Sequence, residues 1–148
     1  MHILDHDVSG LAERLRALRP DRQHAVLVIG CLAAAHSLSG VDPETSRLLD
    51  VLRSKGALSA EEAASAMELS ESADNRYFDL LEKDEQDPEA DRWFSEARLL
   101  RAMAVGFGAS PQEDIADAVY ELTHMLEDPS EIIALIESFL SSAASGRV

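Results

Sequence analysis

A glutamate and a histidine three residues apart are the first candidates for chemistry in this sequence. Glu121 and His124 have the Glu-x-x-His spacing that puts both side chains on one helix face, as in di-iron carboxylate bundles. Such a centre needs the pair twice, and the nearest companion, Asp21 with His24, has its aspartate at a predicted helix start. A histidine in a last helical turn is also stabilised by the helix dipole. We therefore expect no transition metal at this pair.

Four carboxylates of one predicted helix, called the acidic stripe below, are the main candidates for binding. Glu113, Asp117 and Glu121 recur every four residues, with Asp114 beside them, opposite the apolar face of residues 111–126. Like charges at this spacing cost about 0.2–0.5 kcal/mol per pair, and the segment contains no Lys or Arg. We interpret the stripe as a surface for a basic partner. Changing its three regularly spaced acids to amides is expected to weaken binding and leave stability unchanged or slightly improved.

Two adjacent aromatic residues are candidates for the same interface. Tyr77 and Phe78 lie in the polar segment 71–79, and an exposed aromatic side chain among acids is typical of a protein-binding surface. We assign Tyr77 to the interface and expect Phe78, rather than Tyr77, to anchor its helix to the core.

Other reactive or aromatic groups are expected to be structural. Cys31 lies in the apolar run 25–35, which predicts a buried, reduced thiol, and Trp93 shares a helical stripe with alanines and leucine. The sequence contains no glycine-rich phosphate loop, no Cys-x-x-Cys pair and no Ser-His-Asp set in a strand-turn-helix context. We predict no cofactor.

The charge of the chain limits its partners. Its 148 residues carry 28 acidic and 13 basic side chains, a net charge of −15, and the excess is concentrated after residue 50. Such a surface repels nucleic acid and anionic lipid and attracts basic proteins and cations. Acidity can also serve solubility alone.

Length and composition indicate one helical domain. A chain of 148 residues, 46% hydrophobic and 5% aromatic, is expected to form a single domain, residues 1–148, around an aliphatic core. Its longest apolar run is too short to span a bilayer, which takes about 20 residues. The first residues lack the pattern of a secretory signal, so a cytoplasmic protein is expected.

Helix-start and helix-stop signals divide the chain into about seven helices. Starts are indicated at Asp21, at a Ser59–Glu62 capping box and at Asp42-Pro43, Asp87-Pro88, Ser110-Pro111 and Asp128-Pro129, with stops at Gly40, Gly56 and Gly108. Apolar spacing between them is helical, so the fold class is an all-α bundle. The predicted helices are 8–18, 21–38, 43–55, 60–83 with a break near 70–74, 88–106, 111–126 and 129–143.

The two halves of the chain are similar. A shift of 68 residues places Gly40 on Gly108 and Pro43 on Pro111, so that a glycine-stopped helix precedes a proline-opened one in both halves. This predicts an internal repeat of helix hairpins over 26–67 and 94–136.

One repeated segment resembles a known family. Ser39 to Glu44, after an alanine-rich helix, is similar to the repeated signature of TerB-like tellurite-resistance proteins, and the resemblance covers 26–67 and 94–136. It implies an acidic helical duplication with a metal site that uses an aspartate before the glycine. Ser39 and Phe107 stand at those positions here, so the implied ligands are missing.

Size, helical class and charge also resemble those of small bacterial immunity proteins, which cover the basic active sites of toxins. We interpret the chain as a non-enzymatic acidic protein that binds a basic protein partner, in the manner of an immunity protein or antitoxin. The alternative is a TerB-like metal-binding protein of stress resistance, and a third possibility is a helical enzyme with a site of scattered residues. Metal content would separate the first two.

Overall fold

A computed structural model describes residues 10–38, 40–83, 88–108, 115–125 and 130–144, with side chains up to residue 141. Seven helices and no strand occupy these ranges, which confirms the all-α class. Where both are described, their bounds agree with the predicted ones to within a turn. They are α1 (Leu11–Arg16), α2 (Pro20–His36), α3 (Pro43–Lys55), α4 (Ala60–Lys83), α5 (Pro88–Phe107), α6 (Ile115–His124) and α7 (Ser130–Ala144).

α5 is the central helix. It packs along α4 and α6 and contacts α2, which in turn contacts α6 and α7. The interior between these helices is aliphatic, with Leu27, Leu99, Met103, Leu122 and Ile136 fully buried. Removal of this apolar surface from water is the main force that holds the helices together. The apolar faces of the helices therefore point inward, and their polar side chains lie on the outer faces.

The apolar run 25–35 lies inside α2. Its Cys31 is completely buried, which confirms the expectation of a buried thiol, and burial raises the pKa of the thiol to about 12. Neither α2 nor any other helix of the described ranges has both the length and the apolarity needed to cross a bilayer.

Local signals place the junction between α3 and α4 as predicted. Gly56 follows α3 with a left-handed φ of 75°, and its N–H donates to the Leu52 carbonyl. The capping box is confirmed: the Glu62 N–H donates to Ser59 Oγ at 3.1 Å, and the Ser59 N–H donates to the Glu62 carboxylate at 2.9 Å. The latter bond holds the pKa of Glu62 below its ordinary value.

One predicted aspartate cap is wrong, and a second is confirmed in position but not in its hydrogen bond. α2 begins at Pro20 with Arg19 as its N-cap, and Asp21 lies inside the helix and pairs with Arg19 at 3.1 Å. Asp42 is the N-cap residue of α3, but its side chain makes no capping hydrogen bond. The predicted caps at Asp87, Ser110 and Asp128 lie outside the described residues.

The predicted break in α4 near residues 70–74 is also wrong, because α4 is continuous. Ser70 is buried and its hydroxyl donates to the Ala97 carbonyl at 3.0 Å. Asp74 accepts hydrogen bonds from Arg98 at 2.9 and 3.0 Å. Serine and aspartate interrupt helices when they bond to their own backbone, whereas here their partners lie on α5.

The internal repeat is not confirmed. α5 packs closely along α6, whereas α2 makes only sparse contact with α3, although a repeat would relate the two pairs. Part of the second hairpin, between Gly108 and the start of α6, lies outside the described residues. The duplication of 26–67 and 94–136 stays a prediction.

A glycine allows α5 and α2 to approach closely. A Cβ added at Gly106 would lie 2.5 Å from Cδ1, 3.1 Å from Cδ2 and 3.3 Å from Cγ of the buried Leu27, so this side chain would have to shift. We expect Gly106→Ala to lower the free energy of unfolding by about 1 kcal/mol, since overpacking of about 1–3 kcal/mol exceeds the helix-propensity gain of about 1 kcal/mol. Urea unfolding of Gly106→Ala measures this loss, with Gly40→Ala as the control, because a Cβ added at Gly40 meets nothing within 4 Å. Equal stability of the two variants would contradict the expectation.

Candidate functional site

Two arginines of α5 link the three consecutive helices α4, α5 and α6. Arg98 donates from Nη2 to the Asp74 carboxylate and from Nη1 to the Glu121 carboxylate, the latter at 3.3 and 3.4 Å. Arg101 Nε lies 3.1 Å from Oε2 of the same Glu121 carboxylate. The Nε atom of Arg98 is buried without a hydrogen-bond partner among the described residues. The two carboxylates balance the charge of its guanidinium group.

Glu121 is therefore not a solvent-facing member of the acidic stripe, and that expectation is corrected. Its side chain is 12% exposed and is neutralised by arginines from a different helix, which the sequence of α6 alone does not reveal. Asp117 is half-buried, and Glu113 and Asp114 lie outside the described residues. Partner binding by the acidic stripe remains a prediction, but Glu121 is not one of its solvent-exposed carboxylates.

Glu121 and His124 do not converge on a common point. The Glu121 carboxylate faces the two arginines, whereas His124 is exposed and its ring centroid lies 4.2 Å from that of Tyr120. Over the parts of the chain that are described, no group of three or more His, Cys, Asp or Glu side chains is placed to hold a metal ion.

A row of aromatic rings runs from the α4–α5 interface to the surface. Tyr77 is half-buried, with ring centroids 5.2 Å from those of Phe94 and of Phe78. Phe78 is 59% exposed. The expectation that Phe78, rather than Tyr77, anchors α4 to the core is thus wrong, and the assignment of Tyr77 to an interface stays a prediction. Tyr77 continues the α4 stripe that contains the buried Ser70 and Ala73, whereas Phe78 points about 100° away from it.

The side chains around Phe78 form a defined surface. Glu71 and Glu82 are exposed and lie on the same face of α4 as Phe78, seven residues before it and four residues after it. Within the described ranges neither glutamate has an ion-pair partner. We call Tyr77, Phe78, Phe94 and these two glutamates the Phe78 surface. It combines the largely exposed Phe78 ring, the Tyr77 ring that contacts it, the Phe94 ring behind Tyr77, and two carboxylates without an ion pair among the described residues.

Arginines cover the other rings of this region. Trp93, 8% exposed, packs in a small apolar cluster with Ala73 and Ala97, and the guanidinium carbons of Arg76 and Arg92 lie 4.8 and 4.3 Å from its ring centroid. The core role predicted for Trp93 is confirmed. Arg98 similarly lies over Phe94, at 5.5 Å. The contact of Arg76 with Trp93 joins α4 to α5, whereas those of Arg92 and Arg98 lie within α5.

Sequence reasoning missed a buried glutamate on α5. Glu96 is 1% exposed and accepts hydrogen bonds from the Asp42 N–H at 3.1 Å, from Thr45 Oγ1 at 2.8 Å and from Arg92 at 3.0 Å. It lies at the N-terminus of α3, where the helix dipole also favours an anion. A signal existed, because Glu96 lies three residues from Trp93 on the apolar stripe of α5. Its full complement of donors indicates a structural role.

Comparisons of the chain with protein-family models, with curated proteins and with solved structures find no significant match.

Proposed function

We propose that this chain is a non-enzymatic acidic protein whose Phe78 surface binds a basic protein partner. The observation that carries the proposal is the exposed ring of Phe78, which packs against Tyr77, itself in contact with Phe94. Two glutamates on the same helix face have no ion pair within the described part of the chain. Aromatic side chains on rigid supports are frequent centres of binding energy at protein interfaces. Exposed apolar surface rimmed by polar residues is typical of protein interaction sites, and the Phe78 surface has this composition.

The charge of the chain favours a basic partner. At a net charge of −15, long-range attraction accelerates the encounter with a positively charged surface and disfavours acidic ones. An inhibitor of the immunity or antitoxin type acts by covering a basic site in this way. Glu113, Asp114 and Asp117 remain candidates for contact with a basic partner, and Tyr77 supports the Phe78 ring.

The experiment compares two exposed apolar side chains. Phe78 and Leu135, the latter 45% exposed on α7, are the large hydrophobic residues most open to solvent in the described ranges. Tagged wild type, Phe78→Ala and Leu135→Ala are used to capture proteins from the source cell at low and moderate salt, followed by mass spectrometry. Neither substitution is expected to change stability by more than about 0.5 kcal/mol, because both sites are at the surface.

We expect a basic protein to be retained by wild type and Leu135→Ala, and its affinity to fall by about 2 kcal/mol, roughly 30-fold, in Phe78→Ala. Retention should also decrease as salt rises, because charge complementarity is screened. Equal retention of every captured protein by all three forms would contradict the proposal.

A further inference from the structure

The rings of this protein are repeatedly covered by its own arginines. Arg76 and Arg92 lie on Trp93, Arg98 lies on Phe94, and Arg22 lies over Phe139 at 5.8 Å. The planar guanidinium group stacks on an aromatic face and keeps its N–H groups free for carboxylates at the edge. Arg98 does both, because it covers Phe94 while it donates to Asp74 and Glu121.

Phe78 has the surroundings of such a site without the arginine. No guanidinium from the described part of the chain lies over its ring. Glu82 lies one turn after Phe78 on the same helix face, a spacing that brings Cβ atoms to about 5–6 Å of each other, and Glu71 lies on that face two turns before Phe78. A guanidinium on Phe78 would therefore have the Glu82 carboxylate within reach of its N–H groups, with Glu71 further along the same face. The arrangement repeats, at the surface, that of Arg98 with Phe94, Asp74 and Glu121.

We propose, resting on the proposed function, that the Phe78 surface recognises an arginine side chain of the protein partner. The guanidinium stacks on the Phe78 ring and donates to Glu82 or Glu71. Lysine fits less well, because its ammonium group is compact, strongly hydrated and unable to stack while it donates to two carboxylates. The surface thereby distinguishes among basic segments as well as attracting them.

Two peptides of equal charge test this selectivity. One is an eight-residue peptide of alternating alanine and arginine, and the other has lysine at each arginine position. Both are titrated by NMR into wild type, Phe78→Leu and Leu135→Ala with ring-labelled phenylalanine. Phe78→Leu keeps an apolar side chain and removes the aromatic face. The double variant Glu71→Gln with Glu82→Gln removes the carboxylates and keeps the ring.

We expect wild type and Leu135→Ala to bind the arginine peptide at least about threefold more tightly than the lysine peptide, with the ring signals of Phe78 shifted. Phe78→Leu should abolish that preference by weakening the arginine peptide alone. The double glutamine variant should weaken both peptides. Equal binding of the two peptides by wild type, or a preference that survives Phe78→Leu, would overturn the inference.

The two proposals fail in different ways. Loss of the arginine preference with continued dependence of partner capture on Phe78 would overturn only the arginine inference. Partner capture that is independent of Phe78, with the arginine preference intact in the peptides, would overturn the proposed function, and the arginine site would then serve no protein partner of the kind proposed.

Discussion

Replacing Glu96 by alanine is expected to lower the free energy of unfolding by about 3 kcal/mol. Glu96 is buried and receives hydrogen bonds from the start of α3 and from Arg92, so its removal leaves the Thr45 hydroxyl and the Asp42 N–H without their acceptor. A buried donor that loses its partner costs about 1–3 kcal/mol. Arg92 is partly exposed and can turn to water, which limits the effect to the lower part of the range for buried pairs.

Glu89 provides a matched control for this prediction. It pairs with the same arginine from an exposed position one turn earlier on α5, at 3.4 Å. Glu89→Ala is expected to change stability by at most about 1 kcal/mol, as is usual for surface pairs. Urea unfolding of both variants, together with Thr45→Val alone and combined with Glu96→Ala, measures the coupling between Glu96 and α3. Similar losses in Glu89→Ala and Glu96→Ala would show that the buried network is unimportant.

Replacing Arg98 by methionine is expected to lower the free energy of unfolding by about 2 kcal/mol. The substitution removes the cation from Asp74 and one of the two arginines from Glu121, which keeps Arg101. Fully buried pairs lose about 3–5 kcal/mol when one partner is removed, and the partial exposure of this cluster reduces that amount. Methionine retains most of the aliphatic length, so packing against Phe94 changes little.

Arg53 and Asp50 show why burial decides the size of this effect. Their contact is shorter, at 2.7 Å, but both side chains are exposed. Arg53→Met should therefore cost less than about 1 kcal/mol. If thermal unfolding finds Arg98→Met no more destabilising than Arg53→Met, the cluster does not hold α4, α5 and α6 together. Glu121→Gln is expected to destabilise in the same direction as Arg98→Met, so a mutational test of the acidic stripe has to leave Glu121 in place.

Local signals in the sequence predicted the helices well. Gly56 and the Ser59–Glu62 box act through bonds between residues a few positions apart, so their effect can be read from the sequence alone. The continuity of α4 could not be predicted from such local signals. Ser70 and Asp74 look like helix interruptions until their partners on α5 are known.

The candidate site was only partly predictable for the same reason. The segment around Tyr77 and Phe78 was identified from aromatic residues among acids, but which ring faced the solvent depended on how α4 packs against α5. Glu121 was assigned to an open stripe because its own helix has no basic residue, whereas Arg98 and Arg101 belong to α5. The sequence of one helix does not reveal which of its charges are paired with residues of another helix.

Site-specific photo-crosslinking in the source cell tests the central claim most directly. Phe78 and, in a separate protein, Leu135 are each replaced by a photoreactive phenylalanine analogue, which preserves an apolar side chain at two exposed positions on different helices. We expect irradiation to link a basic protein to position 78 and not to position 135, and excess salt before irradiation to reduce the yield. A crosslink to the same protein from position 135 alone, or none from position 78, would contradict the assignment of the Phe78 surface as the binding site.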